Sequence, residues 1–562
     1  MRIQRFYDEG LAHASYAVLS DKQVALVDPA RDPQPYLDFA EKHGARIMAV
    51  VETHLHEDFV SGHLEIHHRA SAPICVSKLA EATYPYIAFD QGDQIAVGKL
   101  RLMALNTPGH SPDSISVLLT DEQGKAQAVF TGDTLFVGDV GRPDLREDNG
   151  NAHTKRVEMA RQLYRSTRQV LMRLDRDVKV YPAHGPGSLC GKSISSDLYS
   201  TIGQEAAHNY ALQPMSEEAF VRVLLEEQPY IPRYFSHAMA LNQKGAGALC
   251  SGVEAVPRLN KYASLQKEVL LVDARPQRQF KMGHLPGAIN IMDGEKFEAW
   301  LGSLVGPEEE FYLLAESEQA QEDLIRKAAK IGYEQNIKGT LQAPTYGQQR
   351  SPEIDLDKFL EHPQGFLIVD LRNASEVKEE SIFNQATHIP LPELRDRAAE
   401  IGSDKPAVVH CASGYRSAIG ASILEKSIGA PVYDLGEAVR DFKRPAAKAV
   451  KYFKKLNLNI TIMENEKLKD NGGQNGSLVK ETFPVEGMTC GGCANGVQLS
   501  LTKLEGVKSA EVSLADASVA VAYDPNAVTP EQMQQAVEKA GFKLGSREDT
   551  ESDKPKRSGG CC

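Results

Sequence analysis

Across residues 1–245, short apolar runs alternate with loops rich in glycine, proline and polar residues. Such runs predict buried strands, as at 24–27, 47–51, 128–130 and 178–181. A polar loop follows each predicted strand directly, and several of these loops contain histidine or aspartate. Strands that alternate with polar loops in this way are typical of layered α/β folds. The pattern therefore predicts an α/β sandwich with polar sites at its strand ends.

An internal repeat occupies the middle of the chain. The segment Leu-Val-Asp-Ala-Arg at 271–275 corresponds to Ile-Val-Asp-Leu-Arg at 368–372, an offset of 97 residues (370 − 273 = 97). The segment Lys-Ile-Gly at 330–332 corresponds to Ser-Ile-Gly at 427–429 at the same offset. The repeat predicts two related α/β domains. Their predicted bounds are 255–345 and 352–455.

The last part of the chain changes in composition. Residues 456–481 are rich in Asn, Gly, Lys and Glu and predict a flexible linker, because core-forming residues are scarce there. Residues 482–546 have the strand–helix–strand–strand–helix–strand rhythm of a ferredoxin-like fold. Residues 547–562 are charged and end in Gly-Gly-Cys-Cys, which predicts a disordered tail. The whole chain is thus predicted to be a multidomain protein of the α/β and α+β classes.

Composition and charge narrow the function classes. The 562 residues carry a net charge of −13 without a basic block, which disfavours nucleic-acid binding. No apolar run reaches the roughly 20 residues that span a bilayer, and no apolar signal core follows the N-terminus. We therefore expect a cytoplasmic protein without a transmembrane segment. In that reducing compartment, the eight cysteines are expected to be catalytic, metal-binding or core residues rather than disulfides.

Residue types that bind metals recur at the predicted strand ends. They stand in Thr-His-Leu-His-Glu-Asp-Phe at 53–59, Thr-Pro-Gly-His at 107–110, Thr-Gly-Asp-Thr-Leu at 131–135 and Ala-His-Gly at 183–185. Imidazole and carboxylate groups are common ligands of transition metals. The candidate ligands are His54, His56, Asp58, His110, Asp133 and His184.

These motifs, in this order, resemble those of the metallo-β-lactamase superfamily, whose fold is an αββα sandwich. For two-metal members such as glyoxalase II, the resemblance implies one metal at the first two histidines of the motif and the histidine after Pro-Gly. It implies a second metal at Asp58, the residue at 59 and the last histidine of the series, His184, with Asp133 bridging the two metals. Residue 59 is phenylalanine, which has no lone pair to donate, so we predict a single metal.

His54, His110 and Asp133 form a set of two histidines and one carboxylate. Such a set suits one non-heme Fe(II) with positions open for substrate and dioxygen. The sequence is similar to persulfide dioxygenases of this superfamily, which use that triad, and the resemblance implies one Fe(II) per metallo-β-lactamase domain. The other three candidates would then orient the ligands, relay protons or serve as alternative ligands. They are His56, Asp58 and His184.

Two further residues near these motifs each have two open interpretations. Arg142 lies in Gly-Arg-Pro-Asp-Leu at 141–145, which also resembles the persulfide dioxygenase pattern. It is either an organiser of the site or anion-binding residue for the substrate, or part of a structural salt bridge. In persulfide dioxygenase–rhodanese fusions, a cysteine in a glycine-rich loop like that of Cys190 lies by the iron. Cys190 therefore either accepts or relays sulfane sulfur, or is a small buried apolar residue.

The second repeat carries the pattern of a reactive thiol. Val-Val-His-Cys-Ala-Ser-Gly-Tyr-Arg-Ser at 408–417 predicts a strand, a tight loop and the start of a helix. Backbone N–H groups and the positive end of the helix stabilise a thiolate, and then a persulfide, at Cys411. Arg416 is predicted to close the loop and to bind an oxygen of thiosulfate or sulfite. The Cys-x4-Arg spacing resembles the rhodanese active loop, whereas phosphatase-like loops normally use Cys-x5-Arg.

The first repeat lacks this pattern. At the offset of 97, Cys411 falls on Leu314 and Arg416 falls on Gln319, and the surrounding segment has no thiol. We therefore predict an inactive rhodanese-like domain at 255–345, with a role in packing, dimerisation or docking. We also expect the protein to be a homo-oligomer.

Cysteine pairs mark the C-terminal region. Gly-Met-Thr-Cys-Gly-Gly-Cys at 487–493 places Cys490 and Cys493 before a predicted helix, and two thiolates suit Cu(I) or another soft metal. The motif resembles heavy-metal-associated domains of copper chaperones and transport ATPases. Alternatively, this dithiol exchanges sulfur or redox equivalents with Cys411. Cys561 and Cys562 are open to metal, persulfide or an acyl chain, or have no specific role.

The order of domains resembles persulfide dioxygenase–sulfurtransferase fusions over residues 1–455. The resemblance implies that glutathione or CoA persulfide is oxidised with dioxygen to sulfite. It implies that Cys411 interconverts persulfide, sulfite and thiosulfate, in sulfide detoxification. One alternative is a two-metal hydrolase of glutathione thioesters of the glyoxalase II type, against which Phe59 argues. Another is a copper-binding sensor or sequestration protein with vestigial enzymatic domains, against which the intact residue sets at the metal centre and Cys411 argue.

Overall fold

The computed structural model of the chain divides into two compact units, Met1–Asn457 and Leu458–Cys562. The first unit is described over residues 1–146, 152–226, 228–260, 263–343, 349–402 and 404–442. The second unit is described over residues 479–486, 497–498, 500–502, 504, 506–513, 517–525, 527–539 and 542–545.

Two six-stranded sheets form the N-terminal part of the first unit, and neighbouring strands in each sheet are consecutive in the chain. The first sheet consists of β1 (Arg2–Asp8), β2 (His13–Ser20), β3 (Gln23–Val27), β4 (Arg46–Val51), β5 (Ile74–Val76) and β6 (Ile87–Ala88). The second consists of β7 (Gln94–Val97), β8 (Leu100–Asn106), β9 (Ile115–Thr120), β10 (Ala126–Gly132), β11 (Lys179–Pro182) and β12 (Ser200–Thr201).

Seven described helices accompany the two sheets. They are α1 (Gln34–Lys42), α2 (His63–Ala70), α3 (Ala152–Arg165), α4 (Ile202–His208), α5 (Glu217–Leu225), α6 (Phe235–Lys244) and α7 (Leu249–Ala255). Helices α1–α5 flank the sheets, whereas α6 and α7 pack in the core shared with the following domains. Strand β3 shows how the layers arise, because side chains alternate across a strand. Ala25 and Val27 face the second sheet, whereas Val24 and Leu26 pack with Tyr36 of α1. The predicted αββα sandwich is confirmed.

Two four-stranded parallel sheets of identical strand order follow in the same unit. The first contains β13 (Leu270–Asp273), β14 (Ala288–Asn290), β15 (Phe311–Ala315) and β16 (Ile337–Gln342), with helices α8 (Gln277–Met282), α9 (Phe297–Leu304) and α10 (Glu318–Ala329). The second contains β17 (Leu367–Asp370), β18 (Thr387–His388), β19 (Ala407–His410) and β20 (Val432–Asp434), with helices α11 (Leu356–Glu361), α12 (Ala374–Glu379), α13 (Leu394–Arg397), α14 (Tyr415–Ser427) and α15 (Val439–Phe442).

The strand register corrects one detail of the predicted repeat. Asp273 pairs with Leu314 in the first sheet, whereas Asp370 pairs with His410 in the second. The offset at this strand is therefore 96 (410 − 314 = 96), so Ala315 rather than Leu314 corresponds to Cys411. Both helices that follow begin at an offset of 97 again (415 − 318 = 97), so the loop after Cys411 is one residue longer than its counterpart. The first copy still has no thiol at the position of Cys411.

One continuous hydrophobic core joins the N-terminal sandwich to both rhodanese-like domains. Phe59 and Val60, from the loop after β4, belong to this core together with Tyr234 and Phe235 near the start of α6. The two parallel sheets contribute to the same cluster with Val272, Leu313, Leu371 and Val409. The three predicted domains of the first unit therefore share buried surface rather than being joined by linkers alone.

The second unit contains a four-stranded antiparallel sheet with the order β22-β23-β21-β24. Its elements are β21 (Val479–Glu486), β22 (Val507–Ser513), β23 (Ser518–Tyr523), β24 (Lys543–Leu544) and α16 (Pro530–Lys539). Val485, Val519, Met533 and Val537 form part of its core, as a ferredoxin-like fold requires. Strand β21 begins inside the predicted linker 456–481, whose remainder lies outside the described residues. Among the described helices, none combines the length and apolar character needed to cross a bilayer.

Candidate metal centre and sulfur-transfer loop

Hydrogen bonds fix the loop after β4 near both of its ends. Asp28 accepts the backbone N–H (2.7 Å) and the hydroxyl (2.9 Å) of Thr53. The side-chain amide of Asn242, from α6, donates to the carbonyls of His56 (2.9 Å) and Phe59 (2.7 Å). All of these residues are buried. Protein contacts alone therefore hold in place the loop that carries His54, His56 and Asp58.

Contacts at Nδ1 set the orientation of three candidate imidazoles. The Thr53 hydroxyl donates its proton to Asp28, so its oxygen accepts from Nδ1 of His54 at 3.1 Å. Carbonyl oxygens accept from the other two rings, Arg142 O from His110 at 2.8 Å and Ala12 O from His184 at 3.2 Å. Each ring therefore keeps a free lone pair at Nε2, the atom that faces the centre. Such contacts are typical of histidines that bind metals.

The structure brings together all six candidate ligands. The Nε2 atom of His110 lies 3.5 Å from Asp133 Oδ2, and Nε2 of His184 lies 3.4 Å from Asp133 Oδ1 and 3.3 Å from Asp58 Oδ2. Every pair within the predicted triad of His54, His110 and Asp133 has ligand atoms within 4.8 Å of each other. Ligand atoms of His56, Asp58 and His184 also lie within 4.8 Å of one another.

The hydrogen-bonding state of these atoms fits a bound metal ion. Both carboxylate oxygens of Asp58 and of Asp133 are buried and make no hydrogen bond to the protein, and neither does Nε2 of His110 or of His184. Leaving buried polar atoms without partners costs about 1–3 kcal/mol each. Coordination of a cation would satisfy several of them at once, so the donor set fits the metal that the sequence motifs predict.

Electrostatics at the centre favour the same interpretation. Burial raises the pKa of Asp58 to about 7, and it raises the pKa of Asp133 even though His184 opposes the shift. Burial and the neighbouring imidazoles lower the pKa of His54 well below its ordinary value. A bound cation would stabilise the charged carboxylates and the neutral imidazole together.

Phe59 occupies the space beside the second group of ligands. Its ring centroid lies 3.8 Å from that of His13 and 4.4 Å from that of His56, and the side chain is 1% exposed. The ring thus replaces a ligand with an apolar surface. Three groups of the second set nevertheless still converge, as described above for His56, Asp58 and His184.

Cys190 and Arg142 both lie at the centre. The sulfur of Cys190 is within 4.8 Å of ligand atoms of His110 and Asp133, and burial and the nearby carboxylates raise the pKa of this thiol well above its ordinary value.

The guanidinium of Arg142 binds both oxygens of Asp144, at 2.7 and 2.8 Å, and is 1% exposed. Its backbone holds His110 through the carbonyl and the loop of Cys190 through the N–H. The side chain is thus in a salt bridge while the backbone organises the site, and substrate binding by Arg142 stays a prediction.

Sequence reasoning missed four residues at this centre, of which Glu57, Asp113 and His13 are buried and Arg146 is partly exposed. Glu57 stands between two predicted ligands, so the motif itself could have drawn attention to its carboxylate. Asp113, Arg146 and His13 carry no such signal, because they reach the centre from separate loops and a separate strand. Arg146 pairs with both Glu57 and Asp113, at 2.7 Å each.

The loop of the second rhodanese-like domain has the predicted form. Cys411 follows β19 and is buried, and the backbone N–H of Gly414 donates to its sulfur at 3.2 Å. Helix α14 begins directly afterwards, at Tyr415. Both terminal nitrogens of Arg416 bind the carboxylate of Glu376, at 2.6 and 2.7 Å. Arg416 therefore ties the loop to α12, and its binding of thiosulfate or sulfite stays a prediction.

The four cysteines of the C-terminal region lie outside the described residues. They are Cys490, Cys493, Cys561 and Cys562.

Comparison with family models assigns every major part of the chain. The metallo-beta-lactamase superfamily model matches residues 8–184. The rhodanese-like domain model matches residues 259–340 and 355–444, and the heavy-metal-associated domain model matches residues 482–543.

Three relatives illustrate the likeness. A crystal structure of a metallo-beta-lactamase from Staphylococcus aureus subsp. aureus COL is 30% identical, covers 61% of this chain and 98% of its own, and has a TM-score of 0.54. The cytoplasmic hydroxyacylglutathione hydrolase of Arabidopsis thaliana is 32% identical over 30% of this chain, a match that spans 62% of its own length. The mitochondrial persulfide dioxygenase ETHE1 of Homo sapiens is 26% identical over 40% of this chain and 79% of its own length.

These families point to an enzyme. The Staphylococcus structure covers more of the chain than the sandwich alone, and the αββα layers agree with its name as a metallo-beta-lactamase. The chain belongs to the metallo-β-lactamase superfamily, and it carries two rhodanese-like domains and a heavy-metal-associated domain in the same polypeptide.

Proposed function

We propose that this protein is a non-heme iron persulfide dioxygenase fused to a rhodanese sulfurtransferase. The N-terminal centre would oxidise a low-molecular-weight persulfide, such as glutathione or CoA persulfide, according to RSSH + O2 + H2O → RSH + SO3²⁻ + 2H⁺. The observation that carries the proposal is that ligand atoms of His54, His110 and Asp133 lie pairwise close together while Phe59 stands in place of a ligand beside His56. The chain also has an intact Cys411 loop. The human relative named a persulfide dioxygenase supports it.

The residues around this set have defined tasks in the proposal. His54, His110 and Asp133 would hold one Fe(II), which when bound supplies the activation of dioxygen. Thr53 and the Arg142 carbonyl keep two imidazoles in the orientation that binds metal. His56, Asp58 and His184 would orient the ligands or relay protons. Cys190, which is buried beside the centre, would accept or relay sulfane sulfur.

The Cys411 loop would transfer sulfur in a separate step. Its thiolate attacks the outer sulfur of thiosulfate, the S–S bond breaks, sulfite leaves and a cysteine persulfide remains. The reverse step, attack of sulfite on the persulfide, forms thiosulfate. The N–H of Gly414 and the N-terminus of α14 would stabilise the anionic sulfur in both directions. Sulfite released by the N-terminal centre would thus be a substrate for Cys411 in the same chain.

Oxygen uptake by iron-loaded protein tests the first activity. We expect the full chain, loaded anaerobically with Fe(II), to consume dioxygen when glutathione persulfide is added. Absence of uptake at full iron occupancy would contradict the proposal. In the matched control Cys411→Ser, thiosulfate turnover should be lost while oxygen uptake continues. Loss of uptake as well would mean that the two steps are not independent.

A two-metal thioester hydrolase of the glyoxalase II type is the second candidate. Two observations favour it: the retained second group of His56, Asp58 and His184, and the Arabidopsis relative named a hydroxyacylglutathione hydrolase. It predicts two zinc ions per chain together with turnover of a glutathione thioester. Metal analysis combined with a thioesterase assay separates the two candidates, because the dioxygenase needs one iron and no hydrolysis.

The C-terminal unit would bind a soft metal. Cys490 and Cys493 are proposed to hold Cu(I) or another soft ion, in agreement with the match to the heavy-metal-associated domain. The names of the relatives include both cytoplasmic and mitochondrial proteins, so a cytoplasmic location stays a prediction. A homo-oligomeric state also stays a prediction.

A further inference from the structure

We infer that Glu57 is an additional protein ligand of the N-terminal metal centre. Its Oε2 atom lies 3.6 Å from Nε2 of His110 and 3.9 Å from Nε2 of His54. Ligand atoms of all three residues are within 4.8 Å of one another. The inference rests on the metal centre of the proposed function but not on its reaction.

These separations fit coordination of one ion. Nitrogen and oxygen ligands bind ions such as zinc at about 2.0–2.2 Å, so two ligands of one ion are about 3–4 Å apart. The distances from Glu57 to His110 and to His54 fall in this range, as does the 3.5 Å between His110 and Asp133. Both distances from Glu57 therefore lie within about 0.4 Å of the distance at which the predicted carboxylate ligand, Asp133, approaches His110.

A network around Arg146 aims one oxygen of Glu57 at the histidines. Nε of Arg146 donates to Oε1 of Glu57 at 2.7 Å, and Nη2 donates to the carbonyl of Leu55 at 2.8 Å. Asp113 binds the same guanidinium and accepts the N–H of Leu55 at 2.9 Å. These contacts occupy Oε1 and fix the loop backbone, and they leave Oε2 directed towards the imidazoles.

The state of Oε2 is an independent observation that points to a ligand. Glu57 is 2% exposed, and its Oε2 atom makes no hydrogen bond to the protein. The other oxygen, Oε1, pairs with Arg146 at 2.7 Å, so the carboxylate has a counter-ion on one side only. A buried anionic oxygen without a hydrogen-bond donor is costly, and a metal ion between the imidazoles would satisfy it.

A second carboxylate changes the character of the centre. With Asp133 and Glu57 both bound, the two negative charges balance those of a divalent ion, whereas the triad alone leaves one positive charge. The added ligand also leaves fewer positions open to substrate and dioxygen. We therefore expect a centre that holds a divalent metal more tightly than the triad alone would.

Cobalt binding tests the inference without dioxygen or persulfide. Metal-depleted full-length protein is titrated with Co(II), the dissociation constant is measured by competition with a chelator, and the visible d–d spectrum is recorded. We expect Glu57→Gln to weaken binding at least about tenfold and to change the spectrum, because a ligand is lost. Glu65→Gln is the matched control, since Glu65 is also buried and paired with an arginine, Arg31, but is not among the ligand groups.

The outcomes separate a ligand from a structural ion pair. An unchanged spectrum in Glu57→Gln, with or without weaker binding, would overturn the inference, because Glu57 would then act only through Arg146. Thiosulfate turnover at Cys411 reports whether each variant is folded. If Glu57→Gln does not fold, a crystal structure of the Co(II)-loaded wild type decides, because a metal–Oε2 distance beyond about 3 Å contradicts coordination. Failure of the dioxygenase reaction would leave this test unaffected.

Discussion

The ring of Phe59 packs against the rings of His13 and His56, next to three groups that still converge as metal ligands. A histidine at this position would complete the second set that two-metal hydrolases of the superfamily use. The metal stoichiometry of the protein should therefore depend on this single side chain.

We predict that Phe59→His raises the metal content from one ion per chain towards two. The new imidazole supplies the missing lone pair beside His56, Asp58 and His184. Mass spectrometry of zinc-loaded protein measures the ratio. Phe59→Leu is the control, since it keeps an apolar side chain and should remain at one ion. A ratio of two in the wild type would contradict the role given to Phe59.

The ion pair of Glu376 with Arg416 should make stability depend on pH. Burial alone would raise the pKa of Glu376, but hydrogen bonds and charge from Arg416 lower it below its ordinary 4.5. A carboxyl with a lowered pKa stabilises the fold above its unfolded pKa, and this contribution is lost as pH falls through the folded value. The stabilisation is thus complete at pH 7 and declines below about pH 4.5.

We predict that Glu376→Gln lowers the free energy of unfolding by about 1 kcal/mol at pH 7, because the pair is partly exposed to solvent. The difference from wild type should shrink as the pH falls below 4.5. Urea unfolding midpoints at pH 7 and pH 4 measure it. A difference that is the same at both pH values would contradict this origin of the stabilisation.

At the residue scale, the sequence predicted the metal ligands that stand in motifs and missed the residues that reach the site from distant parts of the chain. His54, His110 and Asp133 were identifiable because each stands in a recognisable loop. The partner of Glu57 was not, since Arg146 is 89 positions away and nothing in a single sequence records their contact. Which oxygen of Glu57 remains free is likewise decided only by three-dimensional packing.

The turn after α10 is the element that links the first rhodanese-like domain to the metal loop. The carbonyl of Lys330 accepts the N–H of Val60 at 2.7 Å. Gly332 has φ +77°, and a Cβ there would lie 2.3 Å from Leu241 Cδ1 and 3.3 Å from Val60 Cγ2. The equivalent Gly429 of the second copy has no atom within 4 Å of such a Cβ. The turn at Gly332 thus packs against the sandwich, whereas space is open around the equivalent turn at Gly429.

We predict that Gly332→Ala destabilises the protein by about 2 kcal/mol, through left-handed backbone strain and crowding against Leu241. It should also weaken metal binding, because Val60 continues the loop that carries His54 and His56. Gly429→Ala is the matched control and should change neither property. Calorimetry and Co(II) titration measure the two effects. Equal behaviour of the two variants would show that the turn does not support the metal loop.

At the element scale, strand and helix types followed from the hydrophobic pattern, but register did not. The offset of 97 located the two copies correctly. The strand pairing in the two sheets nevertheless shows that Ala315, rather than Leu314, is the residue of the first copy that corresponds to Cys411. Register depends on hydrogen bonds between strands that are distant in sequence, so a count of residues misplaces it by one.

The shared core makes the first unit a single body on the scale of the whole molecule. Buried residues of the sandwich and of both rhodanese-like domains belong to one cluster. The first rhodanese-like domain contacts both of its neighbours. It reaches the sandwich through Lys330 and Asp8, and the second copy through Glu309 and Arg395. The sequence predicted these domains separately and gave no sign that they share an interior.

We predict that residues 1–457 alone retain oxygen uptake and sulfur transfer, because this segment forms its own compact unit. Residues 1–256 should instead aggregate, since removal of the rhodanese-like domains exposes Phe59, Val60 and Tyr234 to water. Size-exclusion chromatography and the two activity assays measure these outcomes. A monomeric, metal-binding fragment 1–256 would contradict the importance of the shared core.

We predict that the first rhodanese-like domain performs no chemistry, because it has no thiol at the position of Cys411. Its sequence should then be constrained only where another part of the protein depends on its shape. The metal loop depends on the first copy in this way, because Val60 of that loop contacts the turn at 330–332. Natural selection would then preserve this copy as a neighbour rather than as a catalyst. Among related chains with the same pair of domains, we expect the segment 315–317, which corresponds to the Cys411 loop, to vary freely while the glycine at 332 persists.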